Sequence, residues 1–479
     1  MEDFILKIHA NAVRILAEIG IRLLHPEVLD LLRRHGIRVS GNRCFFTEAE
    51  LMHWVGKAPP TFTLYARNPR HNMVIGGERT HCAPGYGSPT IISFDGSRRQ
   101  ALLKDYLTFA KLVQQSPQFD INGGILAQPN DVAPDTSHLV MLYAAIIASD
   151  KCLLGIPGHA REIQAAMSLL ASFFGGMEEF TATPRVLIMI STISPLVIDK
   201  MALDSVLACS RYNQPMIISP APAAGTTGPI DLAGNISLAT AEALACIAIA
   251  QMAREGVPVI FGLQAYGADL RTGDISIGSP AYALQASYCA RLARHYNLPS
   301  RAGGATTDAP AVTVQSGYES MLAVSTGFEN RINLMMHSAG ILDRFAGMSY
   351  AQFIVDLELI RMVQFYRNGI SVVSEDDLSF DVIRAAGPGG QFLTQVETLR
   401  KCRSHSWLPS FSGTKYAEGA HSPADRLIAG IRKQMDQLLA GYKTPDIDQS
   451  ALQEVERFLT QEAGIAATTI HAIRDEVLS

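Results

Sequence analysis

Apolar runs and longer helical segments alternate through the middle of the chain. Seven runs of mostly apolar residues, each ending in a glycine or polar turn, start near residue 118 and cover residues 119–127, 151–158, 185–195, 215–225, 257–267, 298–304 and 332–340. Helical spacing of apolar positions predicts helices over residues 161–174, 197–212, 235–255, 280–296, 313–328 and 350–367. Strands that are apolar throughout and alternate with helices are typical of a parallel sheet covered on both faces.

This rhythm predicts an α/β fold, a TIM (β/α)8 barrel with an N-terminal cap and C-terminal helices. No GxGxxG fingerprint opens a strand–helix turn, which favours a closed barrel over a dinucleotide-binding sheet. The eighth strand has a weak signal, and residues 370–374 are its candidate. The predicted division is a helical cap with short strands over 1–115, the barrel over 116–415 and a helical extension over 416–479.

Composition narrows the classes of function. The 479 residues are 48% hydrophobic and 18% charged, as expected of a folded globular protein, and a formal charge of -5 argues against nucleic acid. Seven scattered cysteines without a CxxC pair indicate a reduced, cytoplasmic protein. The start of the chain lacks a basic signal region and the apolar stretches are short, so no membrane partner is expected. No metal-binding motif is visible.

Side chains with useful chemistry gather where strands are predicted to end. Arg301 and His337 close two successive strands, Asp308 follows the first of them, and Phe345 follows the second. Tyr86 lies in a glycine-proline loop earlier in the chain. A guanidinium binds carboxylates and an aromatic ring attracts cations, so this set would suit a small zwitterion. Plainer alternatives stay open for the two rings, namely loop packing for Tyr86 and cover of the barrel mouth for Phe345.

The polar candidates also have structural alternatives. Arg301 could pair with an acid such as Asp308, and His337 could be a strand-end histidine bonded to a neighbouring carbonyl group. Asp308 and Glu319 lie eleven residues apart and fit structural partners better than a catalytic pair. Lys151 begins its predicted strand, away from the catalytic rim, which disfavours a Schiff-base aldolase.

Taken in order, the segments resemble the trimethylamine methyltransferase family of corrinoid-dependent enzymes. The resemblance covers most of residues 80–410. The matching stretches are 194–203, 219–251, 269–285, 296–310, 315–320, 335–342, 353–360 and 387–400. The founding members carry pyrrolysine near the turn that here is GGATTDA (303–309), whereas this chain has ordinary residues throughout. It therefore resembles the non-pyrrolysine branch, and most of all the glycine betaine:corrinoid methyltransferases within it.

The resemblance implies a TIM barrel that moves a methyl group from a quaternary amine, glycine betaine above all, to Co(I) of a cobalamin. The cofactor is expected on a separate corrinoid protein, because the chain lacks a DxHxxG corrinoid signature. Tyr86 and Phe345 would hold the cation, Arg301 and Asp308 would complete the substrate site, and His337 would orient substrate or approach the corrinoid. Gly303 and Gly304 are assigned to cofactor contact at an open rim. A homo-oligomer is expected.

Other functions stay open at this point. Proline betaine or carnitine could be the methyl donor instead. A quaternary-amine sensor would keep the binding site without transferring a methyl group, and a barrel lyase or aldolase would bind an anion at 303–309.

Overall fold

Eight parallel strands form the barrel at the centre of the computed structural model, which describes residues 2–370, 372–402, 405, 407–412 and 422–478. In chain order, β1 to β8 are His81–Cys82, Ile121–Gly123, Cys152–Leu154, Val186–Ile190, Met216–Ile218, Val259–Gly262, Ser300–Gly303 and Leu334–Met336. From β2 to β8 each strand pairs with the next in the chain, and β8 pairs with β1. A parallel bridge between Cys82 and Phe119 joins β1 to the chain just before β2, which completes the ring.

A helix follows each strand and covers the outside of the barrel. These eight helices are Leu103–Gln115, Pro134–Ala148, Ala160–Phe173, Lys200–Arg211, Leu232–Ala253, Pro280–His295, Val314–Glu329 and Tyr350–Asn368, with a short helix Met177–Ala182 after the third. The predicted barrel fold is confirmed, and all seven strands expected from the apolar runs are present. Because most of the strands are buried on both faces, their sequences are mainly apolar rather than alternating, as in Val186–Ile190, Met216–Ile218 and Val259–Gly262.

The eighth strand was predicted in the wrong place. Residues 370 and 372–374 form no strand, and Ile370 is 95% exposed, while Ser371 lies outside the described residues. The missing strand is instead β1, which lies inside the stretch assigned to the cap. A two-residue strand that begins with a histidine leaves no apolar run to detect, whereas the apolar residues near 370 mimic one. The domain boundaries as such stay a prediction.

The N-terminal segment covers the outside and the floor of the barrel. It contains helices Glu2–Arg14, Ile15–Ile19 (a π-helix), Pro26–Arg34 and Glu48–Val55, and a sheet of Ile21–Leu23, Arg38–Ser40 and Arg43–Phe45 joined by Val197–Ile198. Two of the helices, Glu2–Arg14 and Glu48–Val55, pack on Leu232–Ala253. That helix is long and apolar enough to cross a membrane, yet it is almost completely buried between these helices and the barrel. Burial on all sides explains its uniform apolarity.

A hairpin closes the end of the barrel at which the strands begin. Its strands, Thr61–Leu64 and Met73–Gly76, are joined by a 3-10 turn at Pro69–His71. Phe62, Leu64, Met73 and Ile75 belong to the same apolar cluster as the side chains inside the barrel. Backbone amides of Tyr65 and Asn68 donate to carbonyl groups just before β4 and β3. The predicted short strands are therefore confirmed, and they form the barrel floor.

The loops at the opposite end, where the strands finish, carry small sheets of their own. Thr90–Ile92 and Arg98–Gln100 pair with Ile341–Leu342 and Gly347–Met348, while Gly267–Asp269 and Asp274–Ser276 form a hairpin after β6. These sheets fix the long loops after β1, β6 and β8 above the barrel.

The C-terminal segment is helical, as expected. It contains a 3-10 turn at Glu375–Leu378 and the helices Phe380–Ala386, Val396–Lys401, Pro423–Ala440, Gln449–Arg457, Phe458–Glu462 (a π-helix) and Ala467–Leu478. Helices from residue 423 onward pack on the outer layer of the barrel. Residues 370 and 372–402, which we call the arm, project instead from the end of the β8 helix, and none of their side chains is buried.

Candidate active site

Arg301 is a fully buried arginine without an acidic partner. It lies in β7, and its Nη1 donates to the Ser219 hydroxyl at the end of β5 over 2.9 Å. Its Nε and Nη2 are also buried and have no partner. Within the described part of the chain, no carboxylate forms an ion pair with it. Burial lowers the pKa of the guanidinium, which nevertheless stays charged at neutral pH. A buried positive charge with two free donors is costly unless an anion binds there.

His337 lies beside this arginine as a neutral imidazole. It is the first residue after β8, so the strand ends one residue earlier than predicted, and its backbone has a left-handed φ of 60°. The ring is buried, and its Nδ1 has no hydrogen-bond partner. Burial, and then the positive charge of Arg301, hold the pKa of His337 well below its usual value. At neutral pH the ring is therefore a polar group that carries no charge.

Aromatic rings surround His337 on the side of the loops. The ring of Phe345 lies 4.6 Å from the His337 ring and that of Tyr86 lies 6.4 Å from it, between centroids. Tyr266 lies 6.2 Å from Phe345 and 6.1 Å from Tyr282. The positive charge of Arg301 reaches both Tyr266 and Tyr282, where it partly opposes the rise in pKa that burial causes. Neutral rings beside a buried guanidinium form a site with separate places for a cation and for an anion.

The loop that carries His337 and Phe345 is strained and firmly held. Asp343, Arg344 and Phe345 all have left-handed φ angles, between 48° and 71°. The Ser88 hydroxyl donates to the Phe345 carbonyl group over 2.8 Å, and Arg98 bonds the Asp343 carboxylate over 2.5 Å. Left-handed conformations outside glycine cost energy and persist only where surrounding contacts impose them. Here those contacts fix the Phe345 ring against His337.

Asp356 fixes the start of the same loop from behind. This fully buried carboxyl group accepts a hydrogen bond from the Gly340 amide over 2.8 Å and another from Gln352 over 2.7 Å. Burial raises its pKa well above the usual range. It contacts the backbone three residues after His337, so it positions the loop.

Three glycines, which have no Cβ atom, make room for the larger side chains of the site. A Cβ on Gly124, whose φ is +67°, would lie 2.5 Å from the Tyr86 ring. A Cβ on Gly303 would lie 2.5 Å from the Tyr282 hydroxyl, and one on Gly304 would overlap the Ser338 side chain. Gly303 and Gly304 are buried. Their assignment to corrinoid contact stays a prediction, while their geometry shows close packing of β7 against its neighbours.

Asp308 does not pair with Arg301. Its carboxylate accepts hydrogen bonds from the Ser276 hydroxyl over 2.6 Å and from the amides of Ile277 and Gly278 over 2.7 and 3.1 Å. Its own amide donates to Glu319 over 2.8 Å. These bonds tie the loop after β6 to the loop after β7. A direct contact between Asp308 and substrate stays a prediction.

A family model decides what kind of protein this is. The model described as "Trimethylamine methyltransferase (MTTB)" matches residues 1–465. The chain belongs to the trimethylamine methyltransferase family. Within this family of methyltransferases it is 38% identical, over 460 residues, to the glycine betaine methyltransferase of Desulfitobacterium hafniense, with 96% of each chain covered. It is 26% identical to the proline betaine:corrinoid methyltransferase of Eubacterium limosum, over 95% of this chain and 96% of that one.

A solved structure supports the fold of this trimethylamine methyltransferase family member. The monomethylamine methyltransferase (MtmB) of Methanosarcina barkeri superposes with a TM-score of 0.55 at 12% identity, over 92% of this chain and 88% of that chain. The likeness shows a shared barrel architecture. The resemblance inferred from the sequence motifs and the barrel fold are both confirmed.

Sequence reasoning found half of the clustered side chains. It identified Arg301, His337, Tyr86 and Phe345, which the structure brings together. It missed Ser219, Gln264, Tyr266 and Tyr282, of which Gln264 accepts a hydrogen bond from the Ser219 hydroxyl over 3.4 Å. The first three lie at or just beyond the ends of strands that were predicted correctly, so the strand-end rule that singled out Arg301 also applied to them. Tyr282 lies in the first turn of a helix, where nothing in the sequence distinguishes it from a packing residue.

Proposed function

We propose that this enzyme moves a methyl group from glycine betaine to the Co(I) corrinoid of a partner protein, leaving dimethylglycine. The observation that carries the proposal is the buried Arg301, whose Nε and Nη2 have no partner. A carboxylate placed against these donors would form the fork-shaped pair that guanidinium favours and would compensate the buried charge. The 38% identical glycine betaine methyltransferase supports this choice of donor.

The aromatic rings suit the other end of the same substrate. A trimethylammonium group cannot donate a hydrogen bond, so it is recognised by ring faces and by exclusion of water. Tyr86, Phe345 and Tyr266 offer such faces, and no phenolate forms at neutral pH because burial raises the pKa of both tyrosines. A neutral His337 adds no charge that would repel the cation. The rings thus hold the substrate without a fixed negative charge that would over-stabilise its ground state.

The chemistry needs orientation more than proton transfer. A Co(I) corrinoid, when presented at the barrel mouth, supplies the electron pair that takes the methyl carbon. The carbon–nitrogen bond then breaks with its electrons on nitrogen, and the product leaves as a neutral tertiary amine that needs no proton. Accordingly, the residues of this site bind and align: Arg301 anchors the carboxylate, and the rings direct one methyl group outward. Desolvation and alignment then supply the rate enhancement.

The rim of the barrel fits a large, transient partner. Ile193, Ile230 and Leu270 lie in the loops after β4, β5 and β6, and each side chain is more than half exposed. Apolar side chains exposed around a site are typical of a surface that another protein covers. They would contact the corrinoid protein or the edge of its cofactor. We also propose a cytoplasmic location, in keeping with a reduced corrinoid.

The test is a methyl-transfer assay with reduced cobalamin and, separately, with a cognate corrinoid protein. Glycine betaine is compared with L-carnitine, proline betaine and trimethylamine, and loss of Co(I) absorbance is followed together with dimethylglycine. Betaine-dependent formation of methylcobalamin supports the proposal. Conversion of another amine alone would refute the substrate. Betaine binding without transfer under either condition would refute the activity and favour a sensor.

A further inference from the structure

Among the described residues, the arm carries a dense group of exposed apolar side chains. Ten large hydrophobic side chains in it are between about half and almost fully exposed: Ile370, Val372, Val373, Leu378, Phe380, Ile383, Phe392, Leu393, Val396 and Leu399. The chain leaves the barrel at the end of the β8 helix and returns at Trp407, whose ring lies 5.7 Å from that of Phe365. The arm is thus held at both ends and left uncovered between them.

The exposed area exceeds what a monomer carries. Full burial of a Val, Leu, Ile or Phe side chain, worth about 1.5–3 kcal/mol at about 25 cal/mol per Å², corresponds to about 60–120 Å², so the ten exposed side chains of the arm offer roughly 600–1,000 Å². The largest apolar patch on a typical monomer is about 300–600 Å². If each arm packs on the surface of a second copy, it covers this area together with a comparable area of that copy, and two such contacts exceed about 2,000 Å², which is the range of obligate homodimer interfaces. The amount of surface therefore fits two symmetric contacts, each made by one arm.

The position of the arm excludes the corrinoid protein as the molecule that covers the arm. Barrel helices run antiparallel to the strands, so the end of the β8 helix lies at the floor of the barrel. The site lies at the opposite end, among the loops that follow the strands. A protein that delivers a cofactor to the mouth has no contact to make at the floor. The occupant must be one that can stay in place during turnover.

The same chain carries a receiving surface, which we call the outer face. Val314, Tyr318 and Leu322 are spaced four residues apart on the β7 helix and form an exposed stripe. Met362 and Tyr366 continue it on the β8 helix, which packs against the β7 helix. Tyr366 is 84% exposed. Helices that pack on a barrel are expected to present polar residues to solvent, so this stripe breaks the pattern.

Charge makes the two surfaces complementary. The first half of the arm carries the exposed acids Glu375, Asp376 and Asp377, and also Asp381, which forms an ion pair with Arg384. The outer face ends at Arg367, whose guanidinium lies over the Phe328 ring at 5.4 Å and so stays fixed beside the stripe. An acidic apolar segment and a basic-edged apolar face on one chain match each other between two copies.

We propose that the arm of one copy packs on the outer face of a second copy, and the second arm on the first, in a two-fold symmetric dimer. Reciprocal exchange closes the assembly, because each copy gives one arm and receives one. Both surfaces are thereby covered. The inference does not depend on which amine the enzyme demethylates.

The experiment compares molecular mass by sedimentation velocity for three variants of the full chain. Val396→Glu with Leu399→Glu disables the arm, and Tyr318→Glu with Leu322→Glu disables the outer face. Leu6→Glu, at a similarly exposed leucine on the N-terminal helix, is the matched control. Helical circular dichroism and methyl transfer to free cobalamin verify that the variants are folded. We expect the wild-type chain and the control to be dimers and both double variants to be monomers.

Mixing the two double variants gives the decisive result. The intact arm of the outer-face variant can pack on the intact outer face of the arm variant, so the mixture is expected to regain dimers that neither variant forms alone. A monomeric wild-type chain would overturn the proposal, as would double variants that remain dimeric. A mixture that stays monomeric would overturn the reciprocal exchange.

Discussion

Replacing Arg301 by methionine should abolish betaine turnover without destabilising the fold. The side chain has two unpartnered donors, and each charge-assisted hydrogen bond to a carboxylate contributes about 1.5–3 kcal/mol. Losing both raises the barrier by about 3–6 kcal/mol, which corresponds to a fall in kcat/KM of roughly 10²- to 10⁴-fold. Because the charge is buried and uncompensated in the free enzyme, a methionine of similar length should leave Tm unchanged or raise it.

The assay measures methylcobalamin formation from glycine betaine and, in parallel, the binding of glycine betaine and of tetramethylammonium, which has no carboxylate. Arg301→Met should weaken the first ligand and spare the second. Ser219→Ala, which removes only the partner of Nη1, serves as the control and should cost about tenfold or less. Betaine turnover close to that of the wild type would refute the carboxylate anchor, and a large drop in Tm would show that Arg301 is structural.

Three further changes test the rest of the site. His337→Gln should flatten the pH dependence of the free energy of unfolding, because the native ring resists protonation while the unfolded ring accepts a proton below about pH 6.5. The wild-type free energy of unfolding is therefore full above that pH and falls as the pH drops below it. Urea unfolding between about pH 5 and 8 measures this dependence, and equal slopes in both proteins would contradict it. Tyr266→Leu should raise KM for betaine by about 3- to 30-fold, the cost of one cation–π contact, with kcat changed less, and an unaltered KM would remove Tyr266 from the cage. Gly124→Ala should displace the Tyr86 ring and cost about 1–3 kcal/mol of unfolding free energy, whereas the same change at Gly36, which has a left-handed φ but open space around it, should cost only the backbone strain.

The sequence was sufficient for the repeating part of the fold because burial on both faces gives each strand a continuous apolar run. The apolar runs at Val186–Ile190 and Val259–Gly262 predict strands and no other element. β1 is different, since its two residues are held in the barrel by their neighbours and have no periodicity of their own. The strand predicted at 370–374 was wrong for the opposite reason. Residues 370 and 372–374 have the β-branched composition of a strand, but the structure leaves them outside the barrel.

The same distinction separates the parts of the candidate site that the sequence could predict from those that it could not. Arg301 lies in β7 and His337 directly follows the neighbouring strand β8, so the order of the strands alone predicts that they meet. The pairing of Tyr266 with Phe345 depends on two long loops, and no spacing in the sequence measures how those loops fold over the barrel. The sequence also could not predict that Arg301 lacks an acidic partner. Asp308 is near it in sequence, but the loop after β6 folds so that the Asp308 carboxylate accepts a hydrogen bond from Ser276 instead.

Among the described residues, the hairpin 61–76 covers the end of the barrel where the strands begin, which leaves the mouth as the path to the site. Substrate, product and methyl acceptor must all use the mouth, and a corrinoid protein seated there would block the path of the small molecule. The kinetics should therefore be ordered: betaine enters first, the acceptor protein binds over it, and dimethylglycine leaves only after that protein has dissociated. Excess corrinoid protein would then inhibit by trapping the empty barrel, a behaviour that follows from the position of Phe62 and Ile75 at the far end.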